Sequence, residues 1–230
     1  MNEVDKEGIA VDQKNAIAAF KTQMDPNAKM TGRLFAQDLQ NKDLRFLDVG
    51  CGIGRHMLIL RNNGIRNALG FDIVYKLAEI AHREFELENL LVANALHIPL
   101  PSNSTDRVLM YNVIEHCSGP DKVLSEAHRI LSRNGLLYMD VPNAKSMGDR
   151  LFRWGGKIVY GKTSHIQKFT LSRVERVVDM TGFRILQCIT QRGIYLDYPQ
   201  LKRYPMLKKI LRLMFDKEIL GWELKLGKKL

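Results

Sequence analysis

Between Leu47 and His56 the chain reads Leu-Asp-Val-Gly-Cys-Gly-Ile-Gly-Arg-His, with glycine at 50, 52 and 54 and an acid at 48. Glycine reaches positive φ and lets a backbone approach a ligand closely. A helix beginning beyond such a turn offers unpaired N–H groups. Nucleotide-like ligands are held this way, and the spacing narrows the choice. A dinucleotide fingerprint places its third glycine one residue later. A P-loop is excluded, because no Gly-Lys-Ser/Thr follows.

Asp48, two residues ahead of the first glycine, suits a ligand carrying a cation better than one carrying a pyrophosphate. S-adenosylmethionine has a sulfonium and an ammonium and no phosphate. Further along, Leu69-Gly70-Phe71-Asp72 ends in a carboxylate able to accept hydrogen bonds from both ribose hydroxyls. Asn94 and Ala95 follow the next apolar run, where a polar side chain can meet an adenine edge or simply form a turn. The cysteines at 51, 117 and 188 have no metal spacing, and no other ligand constellation is visible, so no metal is expected and the thiols read as reduced.

These residues need a scaffold that delivers them to one place. Arg45–Val49, Asn67–Asp72, Leu90–Ala93, Asp106–Tyr111 and Leu136–Val141 read as strands. Helices are expected over 55–62, 75–87 and 121–132 between them. Such alternation predicts a Rossmann-like, doubly wound, mostly parallel sheet of seven strands with helices on both faces. Right-handed crossovers then bring every strand's carboxyl end to one edge, where ligands bind. Two helices are expected before the sheet, over 11–23 and 28–40. After Pro142 come a helix over 171–181, with Ser172 and Glu175 at capping-box spacing, a sixth strand over Phe183–Ile189, a helix over 205–215 and a final strand over Trp222–Leu226.

Composition is consistent with one α/β domain. The chain has 230 residues and is 45% apolar. No run approaches the roughly 18 to 20 apolar residues of a spanning helix, and the first residues lack the apolar core of a signal peptide, so a cytoplasmic protein is expected. The net charge of +10 is unevenly placed. Residues 1–141 hold 16 Lys+Arg and 18 Asp+Glu, residues 142–230 hold 19 and 7. An excess confined to one part points to an anionic partner more than to an indifferent surface.

The segments LDVGCGIGRH, LGFDIV, NALHIPLPSNSTDRVLMYNVIEH and ILSRNGLLYMDVPN, in this order, resemble class I S-adenosylmethionine-dependent methyltransferases. They are most similar to the type-11 and type-12 group, which includes the ubiquinone-biosynthesis enzymes. The resemblance covers about residues 42–190. It implies a methyltransferase whose product is S-adenosylhomocysteine. It implies that Asp48, Gly50, Cys51, Gly52 and Gly54 meet the methionine end, with Asn112 nearby. Asp72 would hold the ribose, Ile73 pack on the adenine, and Asn94 and Ala95 meet its edge. Two departures stand out: Asn94 where the group usually has Asp, and Arg133-Asn134-Gly135 in place of Pro-Gly-Gly.

Methyl transfer from a sulfonium requires alignment, and a general base where the acceptor is a hydroxyl. His116 at the end of the fourth strand is the first candidate, His165 in Ser-His-Ile-Gln-Lys-Phe-Thr the second, and Tyr111 could orient an acceptor or merely end a strand. The chain is read as N-terminal helices (1–41), a cofactor half (42–142), a basic elaboration (195–218) and, where the resembled enzymes build the acceptor pocket, an acceptor lid (143–169). The lid mixes Arg150, Arg153, Lys157, Lys162 and Lys168 with Phe152, Trp154, Tyr160 and Phe169. In the 205–215 helix Lys208, Lys209 and Arg212 separate from an apolar face. That face suits either packing on the sheet or a second subunit, or a peripheral contact with anionic membrane. O-methylation of a small-molecule or lipid-like acceptor is the leading expectation. RNA methylation is a second reading, supported by the basic half. Against it, Tyr111-Asn112-Val113-Ile114 lacks the Asn/Asp-Pro-Pro-Tyr pattern of base-amino methylation. A cofactor-binding partner subunit without turnover is the third.

Overall fold

The computed structural model describes residues 34–146, 166–192, 206 and 219–229. Seven strands form one sheet: β1 (Phe46–Val49), β2 (Ala68–Asp72), β3 (Leu90–Val92), β4 (Thr105–Met110), β5 (Leu131–Pro142), β6 (Phe183–Arg192) and β7 (Ile219–Lys228). Their order is β3-β2-β1-β4-β5-β7-β6. The first five are parallel, and β7 runs antiparallel to both β5 and β6. The chain leaves β1 in one direction and returns to its other side at β4. The switch in strand order therefore lies at the carboxyl ends of β1 and β4, where such sheets place ligands.

Helices α1 (Arg55–Asn62), α2 (Tyr75–Phe85), α3 (Pro120–Ile130) and α4 (Leu171–Met180) complete the fold. Strand parity sorts side chains between two cores. Leu47, Val108, Met110, Leu137, Met139 and Leu224 pack with Val123, Ala127, Val174 and Val178 of α3 and α4. Phe46, Leu109, Tyr111 and Tyr138 face the other way, onto Met57 and Leu60 of α1 and onto Leu34, Phe35 and Leu39. By the same parity Asp48, Asp140 and Glu223 share the α1 side, and all three are buried.

Several boundaries differ from the sequence expectations. The helix expected to reach Ser132 stops at Ile130, and Leu131 is already extended at φ −64°, ψ 137°. Its partner register jumps from Thr105–Leu131 to Arg107–Leu136, so residues 132–135 form an irregular bulge within β5. Buried Leu131 sits with the core at 0% exposure, which outweighs the local helical pattern. Thr170, not Ser172, caps α4: its hydroxyl accepts from the Arg173 amide. β6 and β7 are each longer than expected because they pair with one another along ten-residue strands. Of the expected 28–40 helix the described part is a 3₁₀ turn, Ala36–Gln40. The 11–23 helix, most of the lid and the 205–215 helix except Met206 fall outside the described residues.

Candidate active site at the carboxyl edge of the sheet

β1 feeds directly into the glycine turn. Gly50, Gly52 and Gly54 take φ +67°, +54° and +86°, backbone that side-chain-bearing residues adopt at a cost of about 1–2 kcal/mol. Their surroundings differ. A Cβ on Gly50 would lie 2.7 Å from Val113 Cγ2, and one on Gly54 would lie 2.1 Å from Leu87 Cδ1. A Cβ on Gly52 would meet nothing within 4 Å among the described residues. Gly50 and Gly54 are held by packing, and Gly52 borders an open cradle.

The turn is tied to the end of β2. The Gly52 amide donates to Asp72 Oδ2 at 2.9 Å, and the Cys51 amide donates to the Phe71 carbonyl at 2.9 Å. Asp72 Oδ1 accepts from the Val74 amide at 2.9 Å. Each carboxylate oxygen keeps acceptor capacity, and the group is braced in one orientation. Next to it Ile73 is 61% exposed, a bare apolar face beside a carboxylate. Asn94 is exposed, and its Oδ1 accepts from the Leu96 amide at 2.9 Å, shaping the turn after β3. Ala95 is half-buried against the α3-side core. An open cradle, braced acceptors and an apolar shelf fit an adenosine-bearing cation.

Asp48 is turned under the loop. It is 1% exposed, with Oδ1 3.4 Å from His56 Nδ1 in the first turn of α1. Cys51 Sγ faces Gly70 of β2, and burial pushes its thiol up, so this residue serves the site through its backbone. Tyr111 is also directed inward. Its hydroxyl donates to Glu223 Oε1 at 2.9 Å, its ring lies 4.6 Å from that of His56, and burial beside Glu223 raises the phenol. The strand-ending role is the one its position serves.

Beyond β4, Asn112 is exposed and left-handed at φ +55°, with its amide donating to Asp140 Oδ1 at 2.6 Å. A 3₁₀ turn, Ile114–His116, then presents His116 to solvent with its Nε2 3.9 Å from Glu115 Oε1. Glu115 is fully buried, and neither carboxyl oxygen has a hydrogen-bond partner among the described residues. Desolvation, with Asp140 adding repulsion, pushes its carboxyl up to about 8. Its backbone carbonyl accepts from the Ile166 and Gln167 amides at 3.0 and 2.9 Å, pinning the last residues of the 143–169 segment. His165 lies outside the described residues.

Comparison with known proteins agrees with this geometry. Residues 47–139, which carry the glycine turn, Asp72 and His116, match a family described as "Methyltransferase domain". An uncharacterized protein of Methanocaldococcus jannaschii, MJ0638, is 36% identical over 46% of this chain and 44% of its own. A malonyl-[acyl-carrier protein] O-methyltransferase of Yersinia pestis is 26% identical over 58% of this chain and 50% of its own. A ubiquinone/menaquinone biosynthesis C-methyltransferase of Campylobacter jejuni is 27% identical over 55% and 56%. The chain spans about half the length of the curated relatives it matches. A crystal structure of an S-adenosylmethionine-dependent methyltransferase from Archaeoglobus fulgidus shares the fold at a TM-score of 0.63 and 16% identity, over 85% of this chain and 91% of that one. Residues 47–139 are thus similar to a methyltransferase domain, on the fold of S-adenosylmethionine-dependent methyltransferases.

The site also holds residues that were not singled out from sequence. Asp140, Glu223, His56 and Glu115 gather near Asp48 and Tyr111. Burial, with Glu223 adding repulsion, pushes Asp140 up to about 6, against the opposing pull of the Asn112 amide, His56 and Arg55. Two signals for them exist. Asp140 interrupts the apolar run Leu136–Val141, and Glu223 is an acid on the face opposite Trp222, Leu224 and Leu226. Among the described residues no three His, Cys, Asp or Glu could hold a metal ion together, and no helix is long and apolar enough to cross a membrane.

Proposed function

We propose that this chain methylates a hydroxyl of a small-molecule or lipid-like acceptor. The observation that carries the reading is the His116–Glu115 pair at the tip of β4, one turn beyond the strand that flanks the glycine loop. Bound in the cradle, S-adenosylmethionine supplies a methyl group already activated on a sulfonium. Gly52 and the braced Asp72 are placed to hold it, with Ile73 as an apolar shelf for the base. His116 takes the proton that a hydroxyl sheds as it is methylated. The resulting imidazolium is offset by the Glu115 carboxyl 3.9 Å away. That carboxyl, raised by burial to about 8, is neutral near pH 7 until the charge on the imidazolium favours its ionisation.

One relative is named an O-methyltransferase and another a C-methyltransferase, so the attachment point of the methyl is the deciding measurement. Release of S-adenosylhomocysteine is followed across phenolic, isoprenoid, lipid-linked sugar and RNA acceptors, and the labelled product is analysed by NMR. A methyl on oxygen supports the reading; a methyl on carbon or on an RNA base overturns it. His116→Ala is expected to lower turnover by about 10²–10⁴-fold with unchanged S-adenosylhomocysteine affinity. Full turnover in that variant removes His116 from the chemistry. A membrane contact through 205–215 rests on the charge pattern of that segment; failure to float with anionic vesicles at low salt sinks it.

A further inference from the structure

Asn112 is one of three residues other than glycine with positive φ among those described, and it stands at the switch in strand order. Asn adopts left-handed backbone more readily than most side-chain-bearing residues, and here its surroundings hold it there. The hold is visible. The Asn112 amide donates to Asp140 Oδ1 at 2.6 Å, from a carboxyl 4% exposed on the neighbouring strand. The consequence is passed on by one residue. Val113 follows the turn, is itself buried, and places Cγ2 where a Cβ of Gly50 would be, 2.7 Å away. Gly50 opens the cofactor loop. A line of contacts thus runs from Asp140 through the Asn112 amide and Val113 to the first glycine.

Asp140 is an expensive residue to place there. Glu223 lies directly opposite on β7, Glu115 is near, and the compensating charges come from His56 and Arg55 of α1. Parity alone would put an apolar residue at this position, as it does at Leu136 and Tyr138 on the same face. A buried acid among acids, with a main-chain amide as its one hydrogen-bond partner among the described residues, marks the amide as the reason for it.

We propose that Asp140 is a positioning residue for cofactor binding: by accepting the Asn112 amide it fixes the left-handed turn after β4 and so seats Val113 against Gly50. This rests on the methyltransferase reading of the glycine loop. The test is S-adenosylhomocysteine binding by calorimetry to the full chain, with melting temperature measured alongside. Asp140→Ala removes the acceptor and is expected to weaken binding by at least about tenfold. Asp140→Asn keeps an oxygen for the same amide and is expected to stay within about threefold of the unsubstituted protein. Removal of one carboxyl from an acidic group should let both variants fold; if Asp140→Ala does not, Asp140→Asn decides alone. Unchanged affinity in Asp140→Ala overturns the proposal. An equal loss in Asp140→Asn overturns it too, because charge and not the accepted amide is then what matters. No binding to the unsubstituted protein instead refutes the cofactor reading itself.

Discussion

The two edges of the sheet handle charge in opposite ways. At the amino edge every ionic group discussed is matched. Arg45 forks onto Asp106 at 2.9 Å, and Asp106 also accepts from Ser132 Oγ. Arg107 meets Asp38 at 2.6 Å, Tyr138 donates to the same Asp38, and Arg129 joins Glu126 to the carbonyls of Ile98 and Leu100. At the carboxyl edge Asp48, Asp140, Glu115 and Glu223 are buried together, two of them raised well above ordinary carboxylate values. Left-handed backbone occurs at both edges, at Gly50, Gly52, Gly54 and Asn112 here and at Gly64, Glu86, Asn103 and Gly182 ahead of β2, β3, β4 and β6. The amino edge pairs its ionic groups, whereas the carboxyl edge buries acids against one another, an arrangement that functional sites favour. A shallow depression of about 350 Å³ lined by Arg45, Arg66, Asn67 and Asn89 lies at the amino edge, far along the strands from the glycine turn.

The largest expected effect separates structural from ligand-facing glycine. Gly54→Val combines left-handed strain with a clash on Leu87 and should lower Tm by about 10 °C. Gly52→Ala carries only the strain, so Tm should fall by about 3–5 °C, while S-adenosylhomocysteine affinity drops at least about tenfold because the methyl enters the cradle. Equal losses of Tm at the two positions would break the distinction. Next, Arg107→Ala strands Asp38 at the amino edge and should cost about 2–3 kcal/mol, read from urea denaturation, with cofactor affinity within about twofold. A larger shift in affinity would show that the edges are coupled.

A pH series sharpens the contrast. Glu115 is buried more easily when neutral. The stability it contributes is therefore full below the ordinary glutamate value of 4.5 and fades as pH rises through about 8. Glu115→Gln should match the unsubstituted protein near the bottom of that window and exceed its Tm by a few °C above it; a difference that does not grow with pH refutes the assignment. Asp106 behaves inversely. Arg45 holds it down to about 2, so its contribution is present above 3.8 and lost as pH falls through about 2. Arg45 is half-exposed, and Asp106→Asn should cost about 1 kcal/mol or less at neutral pH, with the difference from the unsubstituted protein closing in acid.

Much of the fold and half of the site were legible in the residues. The alternation of short apolar strands with helical segments, punctuated by Gly64, Pro142 and Gly182, places five strands within a few residues of where they lie. The glycine spacing and Asp72 pick out the cradle because turn geometry and strand-tip carboxylates are local properties. The register bulge at 132–135 was not legible, because Leu131 is drawn into the sheet by a core that forms only when β4 and β5 meet. Tyr111 shows the same limit: its place at a strand tip is local, but its hydroxyl is claimed by Glu223, 112 residues away.

The sequence alone determined the layer architecture, the loop that can cradle a cationic nucleoside and the acid that braces it, since periodicity and turn chemistry act over a few residues. Only the tertiary structure decided which polar side chains face one another. Asp48, Tyr111, Asp140 and Glu223 come from four strands, and their shared face follows from pairing and parity. Burial in common then changes what each can do: one acid takes up a main-chain amide, and another stands behind His116. No short window of sequence carries that information, because charge and desolvation act through space between segments far apart in the chain.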